Sequence, residues 1–404
     1  MSAFRTHLLW LALAAVALTA CSAGSSGLQP AAATHQAAPC SVPPSSRAIP
    51  DLSNPLTWAA ELVEYLDGGG LVTTLLDTLG QRPGMLDPGQ RAALLDLDLD
   101  GSEDLAIILD GQAPSGGPPS GELLVFLCAQ DHYRLLYITP PGETTGLPRI
   151  EFAGDLTGDS APELLVSTES CGAHTCGRNL AILSYNGREL VNILQGRSDD
   201  LPNPALAVGT ALPGGSRTLS MIGTGISSAG AGPYRERTRT WTYDAASGFF
   251  TPAPDVLGAA RFRIHVLHDA DEAAAMGDTA SALALYRQVI DDPGLDDWIY
   301  GETGQRTLAA FAMFRELWIA LQQGDTGAAR GVLDAMQASA TNDSADMLEL
   351  AEATFEAYQN GGIESACSAA QAFASAHLAG VIEPLNYGYA NRAYSPPDLC
   401  FERP

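Results

Sequence analysis

Lysine is missing from this chain: all 21 basic residues among its 404 are arginine. That absence excludes several chemistries at once. A phosphate-cradling P-loop needs its Lys, a pyridoxal enzyme needs a Schiff-base Lys, and an S-x-x-K acyl-transfer site needs the same residue. The chain also has no G-x-S-x-G elbow and no H-E-x-x-H pair, so the common serine-hydrolase and zinc-protease frames are excluded too. Positive charge is scarce, since 47 acidic residues outweigh the 21 arginines and leave a formal charge of -26. Such a surface repels phosphate backbones and argues against nucleic acid as a partner, whereas calcium and cationic partners suit it.

At 46% apolar residues the chain has enough material for two or three domains with real cores. It opens with Arg5 and then an apolar run from Leu8 to Ala20. This run is shorter than the about 20 residues a spanning helix needs, and it fits the apolar region of a secretory signal. Leu18-Thr19-Ala20-Cys21 resembles a bacterial lipobox. The resemblance implies cleavage before Cys21, lipid on that residue, and an extracytoplasmic protein anchored to the cell membrane through its lipid. Residues 22–54 are rich in Ser, Ala, Pro and Gln and read as a flexible tether.

Six cysteines remain after Cys21, and an even number in an oxidising compartment suggests disulfides. Nearest-neighbour pairing gives Cys171–Cys176, Cys367–Cys400 and Cys40–Cys128. The stretch "ESCGAHTCGRN" has an alternative reading, with Cys171, His174 and Cys176 as ligands of zinc or copper. A closed zinc site wants four ligands, and no second Cys/His cluster supplies the fourth.

The densest chemistry lies in "DLDLDGSEDL". Asp96, Asp98, Asp100 and Asp104 fall at loop positions one, three, five and nine, with Gly101 at six and Ser102 at seven to offer its carbonyl. Alternate residues of a tight loop turn their oxygens inward, the arrangement that calcium requires. An EF-hand would need a bidentate Glu at position twelve, where this chain has Ile107 inside the strand-like "LAIIL". A second loop, "GDLTGDSAPELLVS", begins its pattern 59 residues later and places Asp155, Thr157, Asp159 and Glu163 at the same four positions. The two loops with their following strands resemble FG-GAP/VCBS-type repeats, the calcium-loop blades of integrin-like propellers. The resemblance implies calcium at these positions and an antiparallel, propeller-blade-like β-domain over residues 83–254. A third unit, "RTLSMIGTGISSAGAGPYRERTRTWTYDAASGFFTP", follows a turn, "TALPGGSR", without an acid. Three units are too few for a closed propeller, which takes at least about four blades, so the domain is either a partial propeller or an open β-domain.

Upstream, residues 55–82 read as two amphipathic helices broken at Gly68-Gly69-Gly70, with Leu56, Ala60, Val63 and Leu66 near one face. Downstream, residues 255–382 turn to Ala-rich helical periodicity. Gly277-Asp278, Gly324-Asp325 and Gly361-Gly362 mark three turns, giving six helices in three hairpins that resemble tetratricopeptide repeats. The stripe residues Leu283, Leu285, Phe311, Phe314, Leu317 and Trp318 read as core, and residues 383–404 as a tail folded back under Cys400. The fold class expected is therefore multidomain, all-β followed by all-α.

The function this implies is a non-catalytic, membrane-anchored lipoprotein with a calcium-stabilised β-domain and a helical domain for protein or peptide partners. Two alternatives have their own signatures. An acid-dependent secreted hydrolase calls for a deep cleft where acids and a histidine converge, although His132, His174, His265, His268 and His377 are scattered in sequence. The solute-binding lipoprotein of a transporter calls for a ligand-sized pocket at the domain junction.

Overall fold

A computed structural model describes residues 37–80, 88–111, 120–139, 146–212, 215–226, 228–298 and 301–401. The leader, Cys21 and the first part of the tether lie outside the described residues. From residue 37 onward the expected tether is held against the fold, which corrects its extent. Ala38 N–H donates to the Gly101 carbonyl (2.9 Å) and Ala38 O accepts from Glu103 N–H (2.8 Å). Cys40 is bonded to Cys128 and Leu52 is buried. Composition marked this segment as polar, but one disulfide and one apolar anchor outweigh that signal.

Helices α1 (Trp58–Asp67) and α2 (Val72–Gly80) flank the expected glycine break. The expected face holds at Leu66, which is buried, and at Val63, which packs against the same core, but fails at Leu56, which is 95% exposed, and at Ala60, which faces solvent; Trp58, Leu62 and Tyr65 complete the buried stripe. Asn54 caps a 3-10 turn at Pro55 by accepting from Leu56 N–H, so Leu56 precedes the helix and its phase. The rings of Trp58 and Tyr65 occupy the inner face and donate to the carbonyls of Leu52 and Leu71.

A short turn, α3 (Pro88–Arg91), leads into three successive antiparallel sheets. The first holds β1 (Ala92–Leu95), β2 (Asp104–Gly111), β3 (Ser120–Ala129) and β4 (His132–Ile138). The second holds β5 (Pro148–Gly154), β6 (Glu163–Cys171), β7 (Cys176–Tyr185) and β8 (Leu190–Asn192). The third holds β9 (Pro204–Ala211), β10 (Arg217–Gly223), β11 (Arg237–Asp244) and β12 (Phe249–Pro252), with β13 (Val256–Leu257) also paired to β11. In the first two sheets the acidic loop joins the first strand to the second, so each unit contains a strand before its loop that the motif alone did not mark.

Side-chain parity stacks these sheets. On β2, Leu105, Ile107 and Leu109 face α1 and α2, while Ala106 and Ile108 face the second sheet. On β7, Ala181 and Leu183 face the first sheet, while Leu180 and Ile182 pack with Leu219, Met221, Trp241 and Phe250 of the third. Strands buried on both faces read as continuous apolar runs, which is why "LAIIL" and "LLVFL" do not alternate. The sheets do not close into a propeller ring among the described residues.

Beyond Leu257 the chain is helical: α4 (Arg263–Ala275), α5 (Thr279–Asp291), α6 (Glu302–Gln322), α7 (Thr326–Ser339), α8 (Ala345–Ala376) and α9 (Leu378–Val381). Gly277 and Gly324 take φ of 79° and 75°, left-handed backbone that ends a helix at little cost in glycine. The aspartate one residue after each glycine caps the next helix: Asp278 accepts from Ser281 N–H and Asp325 from Ala328 N–H. Within α8, Gly362 (φ 74°) interrupts the helix at the third expected turn. Phe311, Phe314, Leu317 and Trp318 are buried, and Leu283 and Leu285 are partly buried against the same core. The tail crosses α6, where Arg315 donates to the carbonyls of Leu399 (2.8 Å) and Asp398 (2.9 Å), and Cys400 is bonded to Cys367.

Candidate metal centre and the junction cavity

The two acidic loops share a backbone path that their sequences conceal. Positive φ occurs at loop positions four and six in both, at Leu99 (59°) and Gly101 (90°) and again at Gly158 (87°) and Ser160 (77°). Glycine and non-glycine exchange places between the loops, so the conformation is imposed by the fold and not by glycine alone.

Position nine anchors each loop from inside. Asp104 is fully buried; its Oδ2 accepts from Leu97 N–H and its Oδ1 from Cys128 N–H, both at 2.7 Å. Glu163 is 1% exposed, and its Oε2 accepts from Leu156 N–H at 2.8 Å. Burial pushes both carboxyls up to about 7, against the pull of these amides and with help from neighbouring loop acids.

The loops differ in what the remaining acids do. In loop one, Asp96, Asp98 and Asp104 each bring an oxygen within 4.8 Å of the others. Asp96 is 9% exposed; its Oδ2 accepts from Gly101 N–H, but its Oδ1 is buried with no hydrogen-bond partner among the described residues. Burial, followed by the charge of Asp100, raises the Asp98 carboxyl. Asp100 turns to the Ser102 amide (2.7 Å), and the Ser102 backbone bridges to Ala38. In loop two the acids are spent on local amides. Asp155 accepts from Gly158 and Ser160 N–H, Asp159 from Ala161 N–H, and Thr157 Oγ1 lies 3.3 Å from Glu163 Oε1. No comparable convergence of carboxylates occurs there among the described residues. An orphaned buried oxygen beside two converging carboxylates fits a hard divalent cation such as calcium, and that combination belongs to loop one.

The Cys171, His174 and Cys176 alternative is corrected: Cys171 and Cys176 are joined in a disulfide. Bonded sulfurs offer no thiolate to a metal, although Glu169 lies close by. Cys40–Cys128 places a crosslink next to loop one, because the Cys128 amide is the one that Asp104 holds.

A second feature was not legible in the sequence. A cavity of about 490 Å³ opens where the second and third sheets meet α4 and the tail. Its helical wall is His265, His268, Asp269 and Glu272, at i, i+3, i+4 and i+7 on one face of α4. The histidines considered singly looked scattered; that four-residue spacing was the available signal. His265 Nε2 lies 3.1 Å from the Pro233 carbonyl, which can only accept, so the ring donates there. Its Nδ1, His268 Nε2 and Tyr234 Oη have no hydrogen-bond partner among the described residues. Burial lowers the pKa of both rings, that of His268 to about 4. No helix among the described residues is long and apolar enough to cross a membrane. The chain matches no protein-family model and no curated protein.

Proposed function

We propose that this chain is a non-catalytic, lipid-anchored protein held outside the cytoplasm, whose β-part is stabilised by calcium and whose helical part engages a protein or peptide. In this reading each sheet is a propeller-like blade, and the helix pairs divided at Gly277, Gly324 and Gly362 are tetratricopeptide-like. The four-strand meanders, the recurrent loop backbone and the Gly-Asp turns support that description. Three disulfides suit an oxidising compartment. The observation that carries the calcium reading is the partnerless, buried Oδ1 of Asp96 within reach of Asp98 and Asp104.

In loop one, Asp96, Asp98 and Asp104 would hold the ion, with the Ser102 carbonyl as a further oxygen. Calcium would offset the repulsion among these carboxylates, and its binding free energy would add to folding stability. Loop two, whose acids already accept from their own amides, takes the role of a tight turn. The test is calorimetric titration of calcium into residues 22–404 beside an Asp98→Ala variant, with thermal melts in calcium and in chelator. Saturable heat that the variant loses, together with a calcium-raised melting temperature, is expected. Identical melts and no heat would leave the loop acids as turn formers in water and remove calcium from the reading.

A further inference from the structure

The charges around the junction cavity are not equally free. Arg235 donates to Asp269 (2.6 Å) and to the Gly258 carbonyl. Arg237 is bound to Asp200 and paired with Asp255. Arg392 reaches Asp398 and lies 3.8 Å from Asp271, over the Tyr394 ring. All three guanidinium groups that line the cavity are therefore already neutralised. The histidines add no positive charge near neutral pH, because burial keeps both rings deprotonated. Glu272, by contrast, is exposed on the helical wall, and its carboxylate has no ion pair or hydrogen bond among the described residues. Asp199, also in the lining, is paired among the described residues with the exposed Arg197.

We propose that this cavity binds a small organic cation, an amine or guanidinium compound, with Glu272 as its charged anchor. An anion entering the cavity would meet four carboxylates, two of them committed to arginines of the lining, and no uncommitted arginine among the described residues, whereas an ammonium group would meet an unpaired carboxylate. The volume of about 490 Å³ lies within the range of small-molecule sites, about 300–1,000 Å³. The walls come from six separate parts of the chain: the start of β7, the loop after β8, the approach to β11, β13, α4 and the tail. Strand and helix positions among them hold part of the lining in place before the ligand arrives.

The test uses three four-carbon probes of matched length: putrescine, butane-1,4-diol and succinate. Each is titrated by calorimetry into residues 22–404 at physiological salt, which screens diffuse attraction to the acidic surface. Putrescine is expected to saturate one site, and the diol and succinate to give no binding. Glu272→Gln should weaken putrescine about tenfold, the scale of one hydrogen bond to a charged group. Asp334→Asn, on the exposed face of α7, should leave it unchanged, and excess calcium should not displace the amine. Displacement by calcium would place the amine in the acidic loop, and equal loss in Glu272→Gln and Asp334→Asn would mark diffuse attraction. Either result, equal binding of the diol or succinate, or no saturable putrescine binding would overturn the proposal.

Discussion

Replacing Asp271 by asparagine should destabilise the helical part far more than its single lost charge suggests. Arg315 is fully buried, and Asp271 is 2% exposed. The guanidinium Nη2 donates to Asp271 Oδ2 at 2.9 Å, while Tyr286 and Tyr394 donate their hydroxyls to the same carboxylate at 2.6 and 3.0 Å. Removing one member of such a pair leaves the other as an uncompensated buried charge and costs about 3–5 kcal/mol. Arg315 keeps two tail carbonyls and the faces of Phe311 and Phe401, and the single carbonyl oxygen of asparagine still accepts from one of the two tyrosines. The expected loss is therefore near the lower bound, about 3 kcal/mol. Chemical denaturation followed by far-UV circular dichroism reads it as a lower midpoint. Amide exchange over residues 396–401 should accelerate alongside, because Arg315 is what the tail is pinned to. The paired change Asp271→Leu with Arg315→Met should recover only part of the loss: it removes both buried charges, but it leaves the Tyr286 and Tyr394 hydroxyls and two tail carbonyls without these partners. A loss below about 1 kcal/mol in Asp271→Asn, the scale of one neutral hydrogen bond, would refute the view that Arg315 depends on this carboxylate.

Two further predictions concern other parts of the fold. His268 is held neutral at about 4 in the folded chain against 6.5 when unfolded. Its burial lowers the pKa, as do His265 and Arg392, while Asp271 and Asp269 pull it back up. The stability it supports is present above pH 6.5 and is lost as pH falls from there toward 4, by up to about 3 kcal/mol at about 1.4 kcal/mol per unit. The raised carboxyls of Asp104 and Glu163 act with the opposite sign in that window, so the comparison is between variants: by denaturation midpoint, the native chain should lose stability relative to His268→Gln as pH falls, and a constant difference would contradict this. In loop two, Ser160 adopts φ of 77° although it is not glycine. Ser160→Gly should raise the melting temperature by relieving about 1 kcal/mol of left-handed strain, with the amide bond to Asp155 retained; a lower melting temperature would count against imposed strain.

Much of the architecture follows from local sequence. The switch from strands to helices between Leu257 and Arg263 tracks the change from apolar runs to Ala-rich periodicity. The Gly-Asp turns are legible because left-handed backbone and an N-cap are each met by one residue type. Helix α1 was harder to phase, because a proline-led 3-10 turn shifted its start and two aromatic rings outweighed the smaller apolar side chains. The strands preceding each acidic loop went unmarked because "AALL" and "PRIEFAG" carry no motif, and pairing with β2 and β6 made them strands.

The candidate sites divide in the same way. Sequence alone placed four acids in loop one, and three acids with Thr157 in loop two, at the same spacing, since spacing along a chain is a local property. It could not tell that Asp96 keeps an unpartnered oxygen while Asp155 gives both of its oxygens to backbone amides, because that depends on how each loop closes. Nor could it assemble the junction cavity, whose walls are separated by up to about half the chain and meet only when the tail crosses α4. Charge composition fixed the repulsion that this protein must manage, and tertiary packing decided which arginines were already committed and left Glu272 free.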